Sequence, residues 1–123
     1  MKKHILVIDD EVVITQLLAS LLALSSYKVS IALSGQDGLN LYRADPPDLV
    51  IVDLFMPGVD GLNVIRTLKS EYADARFIAL SGAEGGTQLL AKAKELGAQF
   101  AFEKPVDNQT LLDVIASLLD IRT

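Results

Sequence analysis

The segment Ile5-Leu6-Val7-Ile8-Asp9-Asp10 consists of four apolar residues followed directly by two carboxylates. Further apolar runs also end at a polar side chain: residues 49–53 end at Asp53, residues 77–81 at Ser81, and residues 100–104 at Lys104. Short apolar runs separated by helical patterns predict buried parallel strands. Because ligands of open parallel sheets bind where the strands end, we expect these polar groups to converge on one site.

The segments between these runs have helical character. Residues 11–24 carry apolar side chains at the spacing of one helical face: Ile14, Leu17, Leu18, Leu21 and Leu22. A second strand is predicted over residues 27–32, and further helices from Ser34 to Arg43, from Gly61 to Ser70, up to Leu96, and from Asp107 to Leu119. Strand and helix thus alternate in βα units, which predicts a single α/β domain over residues 1–123. We expect a (βα)5 doubly wound parallel sheet with helices on both faces.

The composition excludes several classes of protein. Half of the 123 residues are hydrophobic, which is typical of one globular domain, and the net charge of -5 provides no basic surface for direct nucleic-acid binding. Cysteine is absent, which excludes disulfides and thiolate chemistry. The first apolar run is too short for an export signal or a membrane span. We therefore expect a cytoplasmic protein with no membrane partner.

The residues at the strand ends have a definite chemistry. Neighbouring carboxylates repel each other by about 1 kcal/mol at 4 Å in water and by about 4 kcal/mol near a protein surface, so a cation is needed to offset them. Oxygen ligands with an incomplete shell suit Mg²⁺, and Lys104 supplies a second positive charge. A carboxylate held against two cations can attack phosphorus and become an acyl phosphate. The hydroxyl of Ser81 could then bond a phosphoryl oxygen.

With these motifs in place, the chain resembles the receiver domains of bacterial two-component response regulators. The matching segments, in order, are residues 7–11, 52–61, 79–83, 97–98 and 103–105. The resemblance spans essentially the whole chain, and it implies a flavodoxin-like fold with strand order 2-1-3-4-5 and often a cis bond before Pro105.

The resemblance also implies a role for each residue of the site. Asp53 corresponds to the phospho-acceptor, and Asp10 and Asp53 correspond to direct Mg²⁺ ligands. Asp9 corresponds to a ligand that acts largely through water, and the backbone carbonyl of Phe55 completes the protein's share. Ser81 matches the hydroxyl that turns toward the phosphoryl group, and Lys104 matches the cation that holds it.

The partner implied by the resemblance is a sensor histidine kinase or a histidine phosphotransfer protein, which donates the phosphoryl group from a phosphohistidine. His4 is not that donor, and we expect it to be an ordinary surface or strand-edge histidine. The chain would be a switch that changes its binding partner. It would catalyse its own phosphorylation and slow dephosphorylation without being a turnover enzyme.

Three positions depart from the family pattern. Ala101 stands where receivers usually carry an aromatic residue that swings inward, so we expect signalling to rely on the loop at residues 82–86 and the helix after it. Phe55 and Ala83 border the path of the attacking water and can neither orient nor activate it. We therefore expect a long-lived phosphorylated state.

The first helix carries more apolar residues than a core stripe requires, since Val12, Val13 and Leu24 widen its face. One interpretation is extensive packing against the sheet. The other is a docking surface for the histidine donor, with Val13, Ile14 and Leu17 as candidates.

Two other classes of protein stay open at this stage. A metal-dependent phosphohydrolase of the haloacid-dehalogenase type would use Asp53 as nucleophile, but Phe55 occupies the place of its second acid. A flavodoxin-like electron carrier would have to bind the FMN phosphate beside an acidic first turn. The sequence does not separate a stand-alone receiver from a relay intermediate or from part of a longer regulator. It identifies no downstream target.

Overall fold

A computed structural model describes residues 2–82 and 86–119 of the chain. Within these residues the strands form one parallel sheet in the order β2-β1-β3-β4-β5. The strands are β1 (His4–Ile8), β2 (Lys28–Ala32), β3 (Leu49–Asp53), β4 (Phe77–Ser81) and β5 (Phe100–Glu103). Fold class and strand order are therefore as predicted.

Helices cover both faces of the sheet. They are α1 (Val12–Leu24), α2 (Gly35–Ala44), α3 (Gly61–Glu71), α4 (Gly86–Leu96) and α5 (Asn108–Leu119). One buried cluster joins the sheet to α2, α3 and α4, and a second joins it to α1 and α5. None of the described helices combines the length and the apolar composition needed to cross a bilayer.

Side chains alternate between these two clusters along the central strands. In β1, Leu6 and Ile8 lie in the first cluster, and Ile5 and Val7 lie in the second. Every residue of β1, β3 and β4 is buried, whereas the edge strands β2 and β5 are only partly covered. Burial on both faces is the reason that the central strands read as continuous apolar runs.

Local chemistry sets the helix ends near the predicted positions. The side chain of Ser34 accepts a hydrogen bond from the backbone N–H of Asp37 at 3.1 Å, and Asp107 accepts one from Thr110 at 3.0 Å. Each bond satisfies an N–H that has no partner within the helix. Gly97 follows α4 with a φ of 125°, a backbone conformation that favours glycine.

The start of α3 lies directly against the end of β3. A Cβ atom added to Gly61 would come within 2.3 Å of the backbone oxygen of Asp53. Glycine is thus required where the helix backbone approaches the strand that carries Asp53. This close packing holds β3 and the following loop in a defined geometry.

His4 is not the surface or strand-edge residue that we expected. Its side chain is buried, and its Nε2 atom lies 2.7 Å from the hydroxyl oxygen of Ser30. Its backbone N–H donates to Asp48 at 2.8 Å. His4 is the first residue of β1, but the expected exposure is wrong because hydrogen-bond partners from β2 and from the residue before β3 lie on both sides of it.

Helix α1 also differs from its predicted packing. Its fully buried side chains are Thr15 and Leu22, while Val13 is 67% exposed and Leu17 is 65% exposed. Ile14 is 42% exposed as well. Packing against the sheet therefore does not account for the extra apolar residues of α1.

Candidate functional site

Three carboxylates meet at the carboxyl ends of the neighbouring strands β1 and β3. Asp9 and Asp10 follow β1 directly, Asp53 is the last residue of β3, and Ile8 pairs with Val52. One carboxylate oxygen from each of these residues lies within 4.8 Å of the other two. Asp9 and Asp53 are buried, and Asp10 is exposed. The sequence correctly predicted this convergence.

Lys104 extends into this cluster from the end of β5, across the intervening strand β4. Its Nζ atom lies 3.0 Å from Asp9, 3.4 Å from Asp53 and 3.3 Å from Glu11. Its backbone N–H donates to the carbonyl oxygen of Ser81 at 2.8 Å. The peptide bond between Lys104 and Pro105 is cis, as the resemblance suggested.

Glu11 is the member of this cluster that sequence reasoning missed. Its side chain is 60% exposed, yet it shares the ammonium of Lys104 with two buried carboxylates. The run Asp9-Asp10-Glu11 contained the signal, since a third acid follows the pair without interruption. The direction of its side chain depends on the tertiary position of Lys104, 93 residues further along the chain.

The electrostatics of the site are dominated by Asp53. Burial raises its pKa to about 6, and the charge of Asp9 adds to that effect. The backbone N–H of Phe55, which donates to Asp53 at 3.2 Å, and the ammonium of Lys104 both lower the pKa but do not cancel the rise. The Asp53 carboxylate is therefore harder to ionise than an exposed aspartate, in spite of the ammonium beside it.

The pKa of Lys104 is also raised, but here burial and the neighbouring carboxylates act in opposite directions. Burial by itself would lower its pKa, but the hydrogen bond to Asp9, the charges of Asp53 and Asp9, and the hydrogen bond to Glu11 outweigh burial, so the pKa is raised. The ammonium is thus a permanent cation at neutral pH. It is held between carboxylates and cannot serve as a general base.

Ser81 lies at the same edge of the sheet as the last residue of β4 and is fully buried. Its hydroxyl donates to the carbonyl oxygen of Gly82 at 3.1 Å. Phe55 is 58% exposed, and its backbone N–H donates to Asp53. The roles expected for these two residues stay predictions, and Ala83 lies outside the described residues.

The environment of Ala101 confirms one departure from the family pattern. Ala101 packs against the cluster of α2, α3 and α4, whereas Phe100 and Phe102 pack against the opposite cluster. Their rings are stacked with centroids 6.1 Å apart. Neither ring shares the face of Ala101, and most of the loop expected to compensate for it, residues 83–85, lies outside the described residues.

The three carboxylates can hold a metal ion. They provide only oxygen donors, one of them on an exposed side chain, and these three carboxylates and Glu11 face the single ammonium of Lys104. Hard divalent cations prefer oxygen ligands and are bound most readily where negative charge is in excess. The residues present therefore fit such an ion.

A doubly wound sheet with an acidic cluster and a lysine at its carboxyl edge defines a class of phosphoryl-accepting signalling domains. The chain matches the response regulator receiver domain family over residues 5–116 and belongs to that family. It is therefore a phospho-accepting switch of two-component signalling.

Similar proteins agree with this assignment. The chain is 30% identical to sporulation initiation phosphotransferase F of Bacillus subtilis (strain 168), over 100% of this chain and 98% of that protein. It is 36% identical to the probable transcriptional regulator ycf27 of Cyanophora paradoxa, over 96% of this chain but only 48% of that protein. A response regulator receiver domain protein from Clostridium thermocellum has a TM-score of 0.90 at 32% identity, with 96% and 94% of the two chains covered.

Replacing the buried carboxylate should stabilise the metal-free protein. Because Asp53 has a pKa of about 6 against an ordinary value of 3.8, the native state binds the proton more tightly than the unfolded state. The free energy of unfolding therefore falls as the pH rises from about 4 to about 6. Above that range, Asp53→Asn should raise the free energy of unfolding by on the order of 1–2 kcal/mol relative to the wild type.

Urea unfolding in a chelator, near pH 4 and near pH 7, measures this effect. The exposed substitution Asp113→Asn removes one carboxylate elsewhere and should leave stability unchanged at both values. A stability gain for Asp53→Asn that is equal at both pH values would contradict the assignment.

Proposed function

We propose that Asp53 accepts a phosphoryl group from a phosphohistidine on a sensor histidine kinase or a histidine phosphotransfer protein. The single observation that carries this proposal is the contact of the buried Asp53 carboxylate with the Lys104 ammonium at 3.4 Å, beside Asp9 and Asp10. In this step an oxygen of Asp53 bonds to phosphorus and the bond from phosphorus to the imidazole nitrogen breaks. The imidazole leaves with the electron pair.

The chain's own groups orient this nucleophile. The N–H of Phe55 donates to Oδ1 of Asp53, and the ammonium of Lys104 lies nearest to Oδ2. The two oxygens therefore have different partners, and the carboxylate is restricted in rotation before the donor arrives. Lys104 is also placed to hold the phosphoryl oxygens once negative charge accumulates on Asp53.

A Mg²⁺ ion would be held by Asp9, Asp10, Asp53 and the backbone carbonyl of Phe55, and when bound it would neutralise charge on the carboxylates and on the phosphoryl oxygens. The acidic cluster supports this proposal, since it has oxygen donors and an excess of negative charge.

Ser81 is proposed to report the phosphorylated state. Its hydroxyl donates to Gly82, immediately before the segment that leads into α4. A phosphoryl oxygen on Asp53 offers a stronger, charged acceptor. Rotation of the hydroxyl would release Gly82 and redistribute the conformations of the face formed by α4, β5 and α5. The output is a change of binding partner.

The same geometry supports a switch that phosphorylates itself once and loses the group slowly. We propose that the protein is not a turnover enzyme, and that residues 1–123 act as one receiver domain. The expected compartment is the cytoplasm, and we propose no membrane or nucleic-acid partner for this domain.

Labelling with acetyl phosphate tests the proposal. With Mg²⁺, intact mass should show one phosphoryl group on the wild type, and Asp53→Asn should remain unmodified because the nucleophile is absent. Asp113→Asn should be labelled like the wild type. Label on Asp53→Asn, or steady hydrolysis of a small phosphoester by the wild type, would contradict a single-acceptor switch.

A long-lived phosphorylated state is proposed from the side chain of Phe55. Phe55 lies two residues after Asp53, and its half-exposed ring offers no group that could orient an attacking water. Phe55→Asn provides such a group and should accelerate loss of the phosphoryl group by about tenfold.

The decay of labelled protein after donor removal measures this rate. Phe55→Leu retains an apolar side chain and serves as the matched control, with an expected decay like that of the wild type. Equal decay in all three proteins would argue against a role for Phe55.

The donor is proposed to dock on α1. Val13, Ile14 and Leu17 are exposed apolar side chains, and α1 has no charged residue to keep its surface hydrated. Beside them runs a groove of about 420 Å³ between α1 and the start of α5, lined by Leu18, Leu21, Val106 and Leu111 among others. Exposed apolar patches of this kind are typical of protein interfaces.

Val13→Lys should slow phosphotransfer from a histidine phosphotransfer protein by about tenfold, because a charge would have to be buried at the interface. Labelling by acetyl phosphate and the melting temperature should be unchanged. Gln16→Lys adds the same charge to another exposed position of α1 and should have a smaller effect. Unchanged transfer in Val13→Lys would remove the docking proposal.

A further inference from the structure

The ammonium of Lys104 has one carboxylate partner that does not belong to the acceptor pocket. Asp9 and Asp53 approach it from the pocket, and the side chains of both are 5% exposed. Glu11 approaches it at 3.3 Å from the surface, with a side chain that is 60% exposed. The cation on which the phosphoryl group depends is therefore shared with a residue that solvent and partners can reach.

The backbone around Glu11 directs its side chain toward Lys104. Glu11 precedes α1 at the N-cap, but its side chain makes no capping hydrogen bond. Its N–H donates to Asp9 at 3.0 Å, and its carbonyl accepts from the backbone N–H of Thr15 at 3.0 Å. The backbone is thus fixed at both ends, and the carboxylate contacts Lys104 rather than the helix.

Glu11 and Lys104 also line the groove between α1 and α5. The other walls of that groove are mainly apolar and include Ile14, Leu17 and Val106. The ion pair of Glu11 and Lys104 therefore lies in the groove where a partner would dock, and its ammonium also contacts Asp53. A ligand in the groove can reach Glu11 without entering the pocket.

We propose that Glu11 is a positioning residue that couples the groove to the acceptor site by competing for Lys104. While the groove is empty, Glu11 holds part of the ammonium's charge away from Asp53. A docked partner that places a Lys or Arg side chain against Glu11 replaces Lys104 there and releases it to the phosphoryl group. The inference rests on the proposed function of Asp53, and it adds the way in which docking activates the acceptor.

Removing the charge of Glu11 should release Lys104 in the same way as docking of a cationic partner. Glu11→Gln keeps the size of the side chain but not its charge, and it should accelerate labelling by acetyl phosphate about two- to fivefold, the range set by an exposed ion pair. Glu103→Gln is the matched control, since Glu103 is exposed, adjoins Lys104 in sequence and has no ion pair with it among the described residues. It should be labelled at the wild-type rate.

A cation built into the groove provides a second test. Ile14 lies three residues after Glu11 and lines the same groove, so the ammonium of Ile14→Lys can pair with Glu11. This variant should be accelerated like Glu11→Gln, and the two changes combined should give no further gain. Gln16→Lys adds the same charge outside the groove lining and controls for general attraction of the anionic donor.

Stability provides a readout that does not depend on phosphorylation. In metal-free protein, Glu11→Gln should shift the melting temperature when Lys104 is present and leave it unchanged in a Lys104→Met background. Added salt should reduce the shift, since the pair is partly exposed.

The outcomes separate the two proposals. An unlabelled wild type would overturn the function proposed for Asp53 and this inference with it. A labelled wild type with equal rates in Glu11→Gln and Glu103→Gln would overturn the inference alone. So would a melting shift that is the same with and without Lys104.

Discussion

Burial of two neighbouring carboxylates beside one ammonium is the constraint on which this site depends. Asp9 and Asp53 are 4% and 5% exposed, so both lose most of their hydration. Lys104 offsets part of that loss, but the pKa of Asp53 still rises to about 6. Because Lys104 offsets the cost of burying Asp53 only in part, any cation added to the pocket would stabilise the ionised form of this carboxylate.

The parallel sheet makes such an arrangement possible. Hydrophobic packing on both faces stabilises β1, β3 and β4, and it is this packing that holds polar residues at their carboxyl ends. Adjacent strands bring Asp9 and Asp53 together, and the long side chain of Lys104 reaches them from β5. Gly61 then allows α3 to begin against the backbone of Asp53. The middle of the sheet therefore provides stability, and its carboxyl edge carries the polar residues of the site.

The apolar surface of α1 lies next to this edge. Glu11 and Lys104 line the groove beside α1, and Lys104 also contacts Asp53. The proposed docking surface and the proposed acceptor Asp53 therefore lie next to each other. No long chain of contacts is needed to connect them, because one side chain takes part in both.

The sequence by itself determined the alternation of strands and helices, the strand ends that carry Asp9, Asp10, Asp53, Ser81 and Lys104, and the fact that Ala101 faces away from its aromatic neighbours. These features follow from the spacing of apolar residues along each segment, which can be read directly from the sequence. Only the tertiary structure decided that His4 is buried against Ser30, that Ile14 and Leu17 are exposed, and that Glu11 contacts Lys104. Burial and ion pairing depend on which distant segments become neighbours, and no local pattern contains that information.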